Sequence, residues 1–172
     1  MKVFFIFLII VISLPILKEL VFSFWNYSRN VYLLDNNFED AEKFIKYGYP
    51  EIKEISIHFL IVVTSILIFS LTFSEKIVKF AEAKRHTKVI LIFGWTFLIF
   101  SIILIVSGVA LNTYALPVAL SNIHYIKSEG IISQDFYDPA FKALFSLLMG
   151  GYFFTIGIIS IVFSGILSLF KR

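Results

Sequence analysis

The closest approach to a catalytic pair in this chain is Glu54 with His58, a carboxylate and an imidazole four residues apart. That spacing places two side chains on one helix face, where they could exchange a proton. It equally gives an interfacial hydrogen bond within one helical turn, and the surrounding residues favour that simpler role. No Asp, Glu, Lys or Arg occurs between Ser56 and Phe73, between Val89 and Tyr114, or between Ala143 and Phe170. The buried charges that mark proton relays and ion paths are therefore missing from three long apolar stretches. The remaining histidines, His86 and His124, fall on segments assigned below to opposite membrane faces, which leaves no histidine cluster for a metal. There are no cysteines, so disulfides, thiolate zinc sites and thiol redox chemistry are excluded. No G-x-S-x-G, H-E-x-x-H or glycine-rich phosphate loop is present. The sequence thus assigns no catalytic residue, no metal ligand and no cofactor, and points to a non-enzymatic protein that acts by binding.

Four apolar stretches, at about 3–24, 55–73, 89–114 and 143–170, dominate the 172 residues. Each can cross a hydrocarbon core of ~30 Å at ~1.5 Å per residue. With 59% hydrophobic residues and a mean hydropathy of +0.90, the composition lies outside the soluble range. The expected fold is an all-α membrane protein, a four-transmembrane-helix bundle forming a single membrane domain over 1–172. Met1-Lys2 and the run VFFIFLIIVISLP have the charge and apolar length of a secretory leader, but no small residues follow at A-x-A spacing. The first stretch is expected to be an uncleaved anchor rather than a removed leader.

The formal charge of +3 conceals a division between two faces. Lys2, the inner loop 74–88 with Lys76, Lys79, Lys84, Arg85 and Lys88, and the closing Lys171 and Arg172 face only Glu75 and Glu82. On the other side, Arg29, Lys43, Lys46, Lys53, Lys127 and Lys142 are outnumbered by Asp35, Glu39, Asp40, Glu42, Glu51, Glu54, Glu129, Asp135 and Asp138. Short basic loops next to spans stay in the cytoplasm, so both termini and the 74–88 loop are expected there, in a multi-pass protein of the cell inner membrane. The basic loop is explained by topology and by contact with anionic lipid headgroups, and nucleic-acid binding is not expected.

The first outer loop, 25–54, is expected to carry a short helix over about 37–47. Asn36 and Glu39 have capping-box spacing, and Gly48 with Pro50 forms a stop signal. Phe38, Ala41, Phe44 and Ile45 share one face, on which the helix would lie against the bilayer or the bundle. A recognition surface is the functional alternative, with Phe38, Glu39, Asp40, Phe44 and Tyr47 as candidates. The second outer loop, 115–142, holds Pro117, Pro139 and the polar run SNIHYIKSEGIISQDFYDP. It is longer than a helix connection requires, and His124, Tyr125 and Asp135 are its candidate recognition residues.

Small residues recur where two backbones would need to meet. In the last stretch Ser146, Gly150, Gly157, Ser160 and Ser164 follow a three-four alternation that begins at Ala143; in the third, Gly94, Ser101, Gly108 and Ala115 lie seven apart. Helices in lipid associate through close packing and interhelical hydrogen bonds, so this stripe predicts a tight antiparallel hairpin of the third and fourth spans, or alternatively a homodimer face.

Four spans, cytoplasmic ends, a basic inner loop and elaborate outer loops resemble two groups of bacterial inner-membrane self-protection proteins. One is the immunity proteins against pore-forming colicins of the colicin A type, to which the segment LTFSEKIVKF after the second span and the closing Phe170-Lys171-Arg172 are similar. The other is the exclusion proteins of conjugative plasmids, which block redundant DNA transfer into a recipient. The likeness is architectural and carries over no individual residue. It implies a partner that is itself membrane-bound, either an incoming transfer apparatus or a toxin, beside the lipid bilayer; an accessory subunit of a larger membrane complex is the further alternative.

Overall fold

The computed structural model describes residues 41–129 and 137–169, with side chains at all of these except 77, 125–129 and 137. The chain divides into two units, Met1–Asp40 and Ala41–Arg172, and every described residue belongs to the second. The first apolar stretch and the closing Lys171-Arg172 lie outside the described residues. Within them the fold is helical apart from residue 73 and the turn at 79–84, and it has no strands. Three helices are long and apolar enough to cross a membrane. We number the helices α1 (Ala41–Thr72), α2 (Ser74–Val78), α3 (Arg85–Glu129) and α4 (Tyr137–Leu169).

α3 is the axis of this unit. Two sets of buried residues run along it at intervals of seven: Leu91, Leu98, Ile105, Asn112 and Ala119, and Gly94, Ser101, Gly108, Ala115 and Asn122. A sevenfold repeat keeps each set near one face of the helix, and the first meets α4 at Leu98 and Ile105 and α1 at Asn112 and Ala119. α4 answers with Ala143, Gly150, Gly157 and Ser164, all buried and also seven apart, and α1 with Ser56, Val63 and Ser70. The outward faces are apolar instead of polar, with Ile61, Ile68 and Phe69 on α1, Ile99, Phe100 and Ile103 on α3, and Leu148 and Val162 on α4 all exposed. An exposed apolar belt of this extent suits lipid and not water.

The helices run past the apolar stretches. At ~1.5 Å per residue, the 45 residues of α3 extend about 67 Å, roughly twice the hydrocarbon thickness. Residues 115–129, expected to belong to an outer loop, are helical. Pro117 sits inside this helix on its exposed side, where its ring deprives one backbone carbonyl of a donor and leaves the packed face untouched. The packed face is Ala115, Val118, Ala119 and Asn122, a helical i, i+3, i+4, i+7 set.

The expected stop at Gly48 and Pro50 is likewise corrected. The chain passes through it in a π-helical turn, Phe44–Gly48, and continues as the α-helix Tyr49–Thr72. The N–H of Tyr49 bonds the carbonyl of Phe44, one residue further back than in an α-helix. This wider turn makes room for Pro50, whose ring would otherwise crowd the carbonyl four residues earlier. Gly48 lies under the Phe44 ring, where a Cβ would come within 3.1 Å of Phe44 Cδ2. Asn112 of α3 donates to the Tyr49 carbonyl beside this turn, so a proline and a glycine that would end a solvated helix lie instead within a packed one.

Candidate functional site

The α3–α4 seam is built by side chains entering glycine gaps. A Cβ on Gly157 would lie 2.8 Å from Leu98 Cδ2 and 3.1 Å from the Gly94 carbonyl oxygen, and one on Gly94 would lie 2.8 Å from Ile161 Cγ1. Ile105 occupies the space over Gly150, where the corresponding distance to its Cγ1 is 3.1 Å. A Cβ on Gly108 would lie 3.0 Å from the Ala143 carbonyl oxygen and 3.4 Å from each of Ser146 Cβ and Leu147 Cγ. Ser101 Oγ donates to the Gly150 carbonyl across the seam at 2.7 Å. Ser160 and Ser164, both buried, instead donate to carbonyls of their own helix, those of Ile156 and Ile161. Of the seam residues named from the sequence, Gly94, Ser101, Gly108, Ser146, Gly150 and Gly157 meet along one α3–α4 contact, in antiparallel order.

The second assembly is at the far end of the bundle, opposite the 79–84 turn. There the start of α1 packs on the end of α3: Ala41, Val118 and Ala119 are buried together, with Phe44, Ile45 and Ile123 against them. Phe44 thus spends much of its surface on helix packing. Tyr47 is 55% exposed, with the Lys46 ammonium 5.2 Å from its ring centroid. Glu42, Lys43, Lys46, Glu51, Lys53 and Glu54 are exposed along the same part of α1. His124 is exposed on α3, next to Ile123. Tyr125 lies on α3 without a described side chain, and Phe38, Glu39, Asp40 and Asp135 lie outside the described residues. The segment pairing brings Phe44 close to the stretch bearing His124, so two of the candidate recognition segments form one surface.

Glu54 and His58 do not pair through the carboxylate. His58 Nδ1 faces the backbone carbonyl of Glu54 at 3.0 Å, and both side chains are exposed. Among the described residues no group of three or more His, Asp or Glu side chains converges on a metal-sized space.

A residue that a search for ionisable groups passes over is Asn112. It is 1% exposed and sits where α3 crosses the π turn of α1. Its Nδ2 donates to the Tyr49 carbonyl at 3.1 Å, while its Oδ1 has no partner among the described residues. The signal for it was its place in the sevenfold set that runs 91, 98, 105, 112, where a lone amide interrupts aliphatic residues. No protein-family model, curated protein or solved structure matches the chain.

Proposed function

We propose that this is a non-enzymatic protein of the cell inner membrane with four spans and both termini cytoplasmic. It acts as an exclusion protein, recognising an incoming DNA-transfer apparatus from the periplasmic side and preventing productive passage of DNA. The observation that carries this reading is the far end of α1 and α3. Helices that need only cross the bilayer instead run on and pack against each other through Ala41, Phe44, Ile45, Val118, Ala119 and Ile123. A packed pair with an exposed charged and aromatic rim offers a partner a fixed surface at lower ordering cost than a loop does. The apolar stretches at 55–73, 89–114 and 143–170, free of Asp, Glu, Lys and Arg, add no competing role in transport.

The test is conjugative transfer into a recipient expressing the protein, with killing by pore-forming colicins scored alongside. Transfer should fall with the parent protein and recover with the rim variants Tyr47→Ala and Glu51→Lys, which leave the packed face intact. Protection from colicin without an effect on transfer would replace exclusion by toxin immunity. An effect on neither would leave the accessory-subunit reading.

A further inference from the structure

The opposite end of the bundle is closed by residues 73–88, and this turn is held from several sides. Val78 is buried, and its carbonyl accepts Ser168 Oγ of α4 at 3.2 Å. Lys79 turns the chain in the left-handed conformation, with φ of 49°. The Glu75 carboxylate accepts the Ala81 N–H at 2.9 Å, and Lys88 Nζ donates to the Ala81 carbonyl at 3.0 Å. Phe80 rests on Trp95 with ring centroids 5.9 Å apart.

This arrangement leaves cations uncompensated. Lys76, Lys79, Lys84, Arg85 and Lys88 stand on the segment against Glu75 and Glu82. Glu75 is turned to backbone, and none of the five cations forms an ion pair among the described residues. The Lys76 ammonium lies 5.3 Å from the Phe73 ring centroid and that of Lys88 5.4 Å from Phe80. Aromatic and aliphatic surface thus begins directly beside the charge. Exposed Phe69 and Leu71 of α1, Val89 and Ile92 of α3, and Ile166 and Leu169 of α4 continue it.

A ligand matching this surface has an anionic head joined to an apolar body. We propose that the 73–88 turn is a binding surface for anionic phospholipids, with Lys79, Lys84 and Arg85 meeting the headgroup phosphate and the adjoining helix ends meeting the acyl chains. The segment joins two membrane-capable helices, so this holds whichever face of the membrane it occupies. Nucleic acid would satisfy the cations alone and leave the adjoining apolar belt without a partner.

The test uses the full-length protein in neutral detergent, titrated with phosphatidylglycerol and with phosphatidylcholine of the same chain length and read by native mass spectrometry. A short DNA duplex is the third ligand. Phosphatidylglycerol should be retained in preference to phosphatidylcholine, by roughly fivefold for each cation engaged. The variant Lys79→Asn, Lys84→Gln, Arg85→Gln should lose that preference while binding phosphatidylcholine as before; Asn at 79 preserves a residue tolerant of the left-handed turn. Equal retention of the two lipids overturns the proposal. So does a preference that survives the triple substitution, or binding of the duplex more tightly than phosphatidylglycerol.

Discussion

Gly157 and Gly151 are six residues apart on α4 and have opposite surroundings. A Cβ on Gly157 meets a leucine methyl at 2.8 Å and a backbone oxygen at 3.1 Å, whereas one on Gly151 finds only the Phe59 ring edge at 3.8 Å. Gly157→Ala should therefore destabilise the bundle by about 1–3 kcal/mol through overpacking. Gly151→Ala should be neutral, or stabilising by up to ~1 kcal/mol through helix propensity. Thermal melting of the two purified variants in one detergent checks this, and a Gly157→Ala protein melting with the parent would refute the seam as a packed contact. Asn112 makes a second test at this scale. Its amide donates to Tyr49, so Asn112→Ala should cost about 1 kcal/mol, in the range of hydrogen bonds between helices in lipid. Asn112→Asp at neutral pH should cost more, because a carboxylate offers the Tyr49 carbonyl a second acceptor in a buried place. The expected order of melting temperature is parent, then Ala, then Asp. An Asp variant as stable as the parent would show that the bond contributes nothing.

At the scale of the element, the apolar lengths were legible because twenty or so apolar residues without charge have few alternatives. The positions of the described spans and the small residues along α3 and α4 follow from counting alone. The outer ends were not legible, for two physical reasons. At Gly48 and Pro50 the local preference of the chain is to stop, and it is overridden by a π turn packed beneath Asn112. Between 115 and 129 the polar composition suggests a loop, yet Ala115, Val118, Ala119 and Asn122 keep the helical period on one side while Pro117 faces the other. Small residues such as Ala carry little weight in a hydropathy profile, so a narrow packed stripe among polar neighbours escapes it. The far-end surface was missed for the same reason. Its two segments are far apart in sequence, and the packing of Ala41, Phe44 and Ile45 with Val118, Ala119 and Ile123 joins them in the fold.

At the scale of the molecule, the direction of the described helices constrains how the chain threads a membrane. α1 and α3 are antiparallel, since Tyr49 meets Asn112 while Ala41 meets Val118 and Ala119. α3 and α4 are antiparallel too, since Gly94 meets Gly157 while Gly108 meets Ala143. The 79–84 turn and the end of α4 therefore share one end of the unit, and Ala41 shares the other with the end of α3. In the proposed topology that shared end, which carries the cations of the turn, is the cytoplasmic one. Reporter fusions after Arg85 and Arg172 should accordingly behave as cytoplasmic, and those after Tyr47 and Ser133 as periplasmic. These four fusions leave the number of spans open, because Met1 lies on the cytoplasmic side if residues 3–24 cross the bilayer and on the periplasmic side if they do not. A protease-cleavable tag at Met1 separates the two. In spheroplasts it should survive added protease if there are four spans, while cleavage with the other four fusions unchanged would reduce the protein to three.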